Sequence, residues 1–158
     1  METTNSNLID ILNDLIQINN DRIEGYERAA KEIKDTQHTE MKSLFFKMAE
    51  ESRTYKNELT EAVAGLGGEP ARDTTASGKL YRVWMDVKAA FSKDDLKAAL
   101  ESCEYGEDVA LKAYQDALQS EVAWPSNIST LVSNQRQSLR ASHDKIKQYR
   151  DEYKVVNN

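Results

Sequence analysis

"LNDLIQINNDRIEGYERAA", residues 12–30, reads as an amphipathic helix with a fault in its apolar stripe. Working outward, Leu8, Leu12, Leu15, Ile23, Tyr26, Ala30 and Ile33 recur at helical spacing with no proline between them. One long helix is therefore predicted over Leu8 to Ile33. Asn19, Asp21 and Arg22 break its apolar face near mid-length.

The rest of the chain repeats this design. The polar break "DTQHTE" at 35–40 offers Asp35 and Thr36 as caps, and Met41, Leu44, Met48, Tyr55, Leu59, Ala62 and Leu66 mark a second long helix. It ends at "GLGGEP", where glycine can adopt left-handed angles and Pro70 blocks resumption. The unperiodic "ARDTTASG" at 71–78 is a connector, and Leu80, Trp84, Val87 and Phe91 then outline a short helix with an aromatic face. Ser92 and Asp95 have capping-box spacing, opening a third long helix that continues through Tyr114 to about Leu118. Pro125 begins the fourth, carried by Ile128, Leu131, Leu139, Ile146, Tyr149 and Tyr153.

The first and second helices are joined tightly, as are the third and fourth, while roughly 25 residues separate the second from the third. Such a pattern predicts an all-α, ferritin-like four-helix bundle with one long crossover that contains a short extra helix. A helix of about 28 residues is roughly 42 Å long, so the four can align along most of their length. Residues 1–158 make a single domain, large enough to bury a core without disulfide or metal staples.

Composition narrows the function classes. Of the 158 residues, 39% are hydrophobic and 30% charged, with six Gly and two Pro, a balance that suits soluble helices. The net charge of -6 opposes a sequence-independent grip on nucleic acid and disfavours anionic membranes. Cys103, the single cysteine, cannot form an internal disulfide, and Met1 to Asn7 lacks the apolar core of a secretory leader. The reading is cytoplasmic, with no nucleic-acid or membrane partner.

Each long helix carries a polar residue near its middle: Asn19, Glu51, Glu107 and His143. Because an unpartnered buried carboxylate is costly, the layer has to be a metal site, an ion network or a wet cavity. The halves of the chain also echo each other. Asn19 lies seven residues before Tyr26, as Glu107 lies seven before Tyr114, while Tyr26 to Thr54 is 28 residues and Tyr114 to His143 is 29. On this alignment Glu51 and Thr54 correspond to Arg140 and His143.

The spacing resembles the duplicated ligand pattern of ferritin-like di-iron proteins, with a distant likeness to bacterioferritin and rubrerythrin. A nearer resemblance is to a family of small, functionally unassigned bacterial four-helix-bundle proteins on the ferritin-like fold. It is carried by "LNDLIQINNDRIEGYERAA", "LGGEP", "WMDVKAA", "CEYGEDVALKAYQDAL" and "SHDKIKQYRD". Carried over residue by residue, the di-iron pattern implies ligand positions at Glu51, Glu107 and His143, whereas Asn19, Thr54 and Arg140 depart from it. The resemblance thus implies a degenerate site that has lost the second metal's ligands.

Two readings of the layer follow. In the first, a non-enzymatic bundle with a structural or interaction role has replaced metal by an ion network, in which Arg140, joined by Arg22 or Arg53, neutralises the carboxylates; its partner is an unidentified protein or a second copy. A stress-associated role comes from fold-level analogy alone. In the second, Glu51, Glu107 and His143 hold a single Fe, Zn or Mn ion in a degenerate oxidoreductase. Tyr26 and Tyr114 read as core residues, and Cys103 as a small buried hydrophobe. Gly25 and Gly106, inside helices, provide either close helix approach or room for a ligand or water beside the polar layer. Tyr81 and Trp84 either cap the bundle or form a self-association face.

Overall fold

The computed structural model describes residues 2–33, 39–73, 82, 85–86, 89–90 and 96–157. Four long helices dominate: α1 (Glu2–Glu32), α2 (Thr39–Gly65), α3 (Leu96–Leu118) and α4 (Ser126–Asn157). The crossover-helix residues Leu80, Tyr81, Trp84, Val87 and Phe91, and the caps at Asp35, Thr36, Ser92 and Asp95, lie outside the described residues. Among the described residues, no helix is long and apolar enough to cross a membrane.

Local chemistry sets the helix ends. Gly67 has φ of +85°, and its amide donates to Ala64 at 3.0 Å while that of Gly68 donates to Val63 at 3.0 Å. This is a Schellman cap, in which the left-handed residue turns two otherwise orphaned carbonyls into acceptors. At the start of α4 the Pro125 carbonyl accepts from Ile128 (3.1 Å) and Ser129 (2.9 Å), so the proline opens the helix where no amide is needed from it.

Apolar contacts fix the topology. Leu8, Leu12, Leu15 and Ile16 of α1 pack with Tyr55, Leu59 and Val63 of α2, Tyr114 and Ala117 of α3, and Ile128, Val132 and Leu139 of α4. A second cluster joins Ile18, Tyr26, Ala29 and Ala30 of α1, and Ile33 just past its end, to Met41 through Ala49 of α2, Ala99 through Ala110 of α3, and Ile146 of α4. Each helix contributes opposite ends to the two clusters, so α1 runs antiparallel to α2 and α3, and α4 antiparallel to α2 and α3. Backbones approach closely within the hairpins α1–α2 and α3–α4 and stand wider between them.

It follows that α2 ends where α1 begins, whereas α3 starts at the far end. The connection has to travel the length of the bundle. Its first residues do so along α1: Asn13 Nδ2 donates to the Glu69 carbonyl (3.0 Å) and its Oδ1 accepts from the Ala71 amide (2.8 Å). Gln17 Nε2 donates to Asp73 Oδ1 and Asn20 Nδ2 to the Asp73 carbonyl, both at 2.8 Å. Amide side chains on successive turns of α1 thus supply hydrogen-bond partners to a segment without its own helix.

Candidate functional site

Between the two apolar clusters lies a polar layer. Asn19, Arg22, Ser52 and Glu107 are each 0% exposed, and Gln135 and Ser142 are also buried. In α1, Asn19, Arg22 and Tyr26 stand three and four residues apart, which stacks them on the inward face. The same geometry places Glu107 and Tyr114 inward from α3, Ser52 from α2, and Gln135 and Ser142 from α4.

Two hydrogen-bond systems occupy this layer. At the centre of the first, Arg22 Nη2 donates to Glu107 Oε1 at 2.6 Å, an ion pair with both side chains wholly withdrawn from solvent. Arg22 Nη1 donates to Ser52 Oγ, and the Tyr26 hydroxyl donates to the same Glu107 Oε1. The guanidinium carbon lies 5.4 Å from the Tyr26 ring centroid, adding a cation–π contact. Arg22 thereby ties α1 to both α2 and α3.

The second system threads all four helices in one direction. Asn19 Nδ2 donates to the Tyr114 hydroxyl (2.8 Å), and Tyr114 donates to Gln135 Oε1 (2.6 Å). Gln135 Nε2 in turn donates to the Tyr55 carbonyl and to Glu58 Oε1, each at 3.1 Å. The internal echo in the sequence has a physical meaning here. Asn19 and Glu107, at equivalent places in the two halves, each engage the tyrosine that stands seven residues along the other half, Tyr114 and Tyr26.

Burial and charge set the protonation of this layer. Burial, the largest single influence, lowers the affinity of Arg22 for its proton, but the Glu107 charge and hydrogen bond together with Tyr26 and Tyr55 outweigh it and hold the guanidinium above its ordinary range. Burial pushes the Tyr26 phenol well up, Glu107 pushes it further, and Arg22 opposes in part. Tyr114 is raised by burial against the opposing hydrogen bond from Asn19. Burial, then Glu107, also raises Cys103, which is 0% exposed and so kept as an unreactive thiol.

The sequence-derived site residues fall in different places. Asn19 and Glu107 are in the layer. Glu51 is half-buried at its margin, where Oε2 accepts from Ser142 at 3.0 Å. His143 lies on the flank, with Nε2 2.7 Å from Asp108 and Nδ1 3.1 Å from Asp144. Thr54 is exposed and donates to the Glu50 carbonyl at 3.3 Å. Among the described residues, no three His, Cys, Asp or Glu gather in a way that could hold a metal ion.

Arg140 requires a correction. It points outward, 67% exposed, and pairs with Asp144 at 3.6 Å. Arg53 is likewise on the surface, pairing with Glu27 and Glu50. The error is one of register. Met41, Phe45, Met48, Ser52, Tyr55 and Leu59 match Ile128, Val132, Gln135, Leu139, Ser142 and Ile146 at a constant offset of 87, all of them buried. Pairing Glu51 with Arg140 uses an offset of 89, and two residues rotate a helix by about 200°, enough to exchange its faces. Gln135, Ser142 and Ser52 escaped notice for that reason, although Gln135 interrupts the stripe running from Ile128 and Val132 to Leu139.

With this geometry in place, the comparison with known families can be read. Residues 7–120 match the family described as a domain of unknown function, DUF2383. The chain belongs to that family. The DUF2383 match spans nearly all of α1 and the whole of α2 and α3, and it contains Asn19, Arg22, Tyr26, Ser52, Glu107 and Tyr114. Gln135 and Ser142, on α4, complete the layer from beyond the matched span. Among curated proteins, none matches this DUF2383 chain.

Proposed function

We propose that this DUF2383 protein is a non-enzymatic, ferritin-like bundle with a structural or interaction role, in which an ion pair stands at the depth where ferritin-like relatives hold metal. The observation that carries this reading is the position of Arg22. Its guanidinium is fully buried and bonded to Glu107, the carboxylate of the innermost layer.

The residues present do not fit a divalent cation. A guanidinium bonded to Glu107 supplies the positive charge that a metal would otherwise bring, and would repel an ion placed beside it. The other inward groups of the layer are two amides, two serines and two phenols kept protonated by burial. None of them is an anionic donor of the kind hard cations prefer. The layer is suited instead to fixing four helices in one register.

Titration of the purified full chain with Fe(II), Zn(II) and Mn(II) tests this. The expected outcome is neither stoichiometric uptake by calorimetry nor a metal-dependent rise in Tm. Stoichiometric binding that disappears in Glu107→Ala or His143→Ala would overturn the proposal in favour of a single-metal site built on Glu51, Glu107 and His143.

A further inference from the structure

Among the described residues, three atoms of the polar layer make no hydrogen bond: Glu107 Oε2, Arg22 Nε and Asn19 Oδ1. All three residues are 0% exposed. Leaving a buried polar atom unsatisfied is costly, more so where it carries charge, so each of the three calls for a partner.

They lie together. Arg22 and Glu107 touch through Nη2 and Oε1 at 2.6 Å, and Nε and Oε2 are each two bonds from an atom of that contact. The pair is therefore joined by one hydrogen bond of the two that a guanidinium edge and a carboxylate can form, with a donor and an acceptor left unused. Asn19 precedes Arg22 by three residues on the same face of α1. Its amide cannot turn to donate instead. Nδ2 is engaged by the Leu15 carbonyl at 2.9 Å and by Tyr114 at 2.8 Å, and the Tyr114 proton is directed to Gln135. Oδ1 stays an acceptor.

The partner has to accept once, from Arg22 Nε, and donate twice, to Glu107 Oε2 and Asn19 Oδ1. A metal ion cannot accept from the guanidinium, and an ammonium ion has no lone pair to do so. A carboxylate or phosphate would face two acceptors, one of them charged, and a simple alcohol has a single proton to give. Water matches all three. We infer that the bundle holds an internal water molecule bridging Arg22 Nε, Glu107 Oε2 and Asn19 Oδ1. This rests on the reading of Arg22–Glu107 as the centre of the layer.

In the uniformly labelled full chain, the Arg22 Nε–H resonance, identified by its loss in Arg22→Lys, is expected to cross-relax with water. The cross-peak should have the sign of a water tumbling with the protein. A resolved Nε–H that is silent toward water, with a through-bond coupling to the Glu107 carboxylate, would show a closed two-bond pair and overturn the inference. Oxygen-17 relaxation dispersion gives a second reading. The wild type is expected to hold one more long-lived water than folded Asn19→Leu, and equal amplitudes would also overturn it. A closed, dry pair leaves the metal titration negative and the proposed function standing; stoichiometric metal uptake removes both.

Discussion

Arg22 and Glu107 show why the layer is stable only as a unit. Either charge alone at 0% exposure would be uncompensated, whereas together with Ser52 and Tyr26 they form a bonded group. The phenols of the layer make this testable by pH. Tyr26 and Tyr114 are raised above the ordinary value of 10.0 by burial. The unfolded chain therefore loses these protons first as pH rises. Above about pH 10 the native state binds more protons than the unfolded state, so stability falls with rising pH; below it the contribution is fully present. Alkaline titration followed by phenolate absorbance and circular dichroism should show these two tyrosines ionising together with unfolding. Their ionisation in a still-helical protein would contradict the assigned burial. Arg22 was legible in the sequence only in part: it breaks the apolar stripe between Asn19 and Tyr26, yet nothing local distinguishes it from Arg53 or Arg140 as the partner of a carboxylate.

At the scale of elements, helix positions and ends follow from spacing, caps and turn chemistry. The glycines of "GLGGEP" announce the end of α2, and Gly67 carries the positive φ the cap requires. Gly67→Ala is expected to destabilise by about 1 kcal/mol, because a Cβ disfavours that angle. In a chain of this size Tm would fall by roughly 2–4 °C in a calorimetric scan. The strap over α1 is a different case. Asn13, Gln17 and Asn20 are polar residues on a helix and look like an ordinary solvated face; their service to residues 69–73 is a long-range match that no local pattern encodes. Asn13→Ala should raise amide exchange at Ala71 about tenfold, equivalent to roughly 1.4 kcal/mol, while α2 keeps its protection. Unchanged exchange at Ala71 would mean that Asn13 does not hold the strap. The α2 and α4 register was misread because two residues separate the correct and incorrect alignments, and both place polar groups at mid-helix.

For the whole molecule, the all-α class and the need for a long α2-to-α3 connection were legible from four periodic segments and one unperiodic stretch. The layer that divides the core was legible as a position, because Asn19 and Glu107 break their stripes at equivalent places. Its chemistry was not, since it depends on contacts between residues 21 to 95 positions apart on different helices. Those contacts also join two hairpins whose backbones are closer within than between, so the polar groups carry the register of one hairpin on the other. The account's central claim is that Arg22 and Glu107 act as one buried pair across that boundary. A double-mutant cycle with Arg22→Met and Glu107→Leu, read by urea denaturation of the full chain, tests it most directly. Each single substitution is expected to destabilise by about 3–5 kcal/mol, and the double substitution by far less than their sum, because it leaves no charge unpaired. Single effects under about 1 kcal/mol, or a double variant in which the two losses simply add, would contradict it.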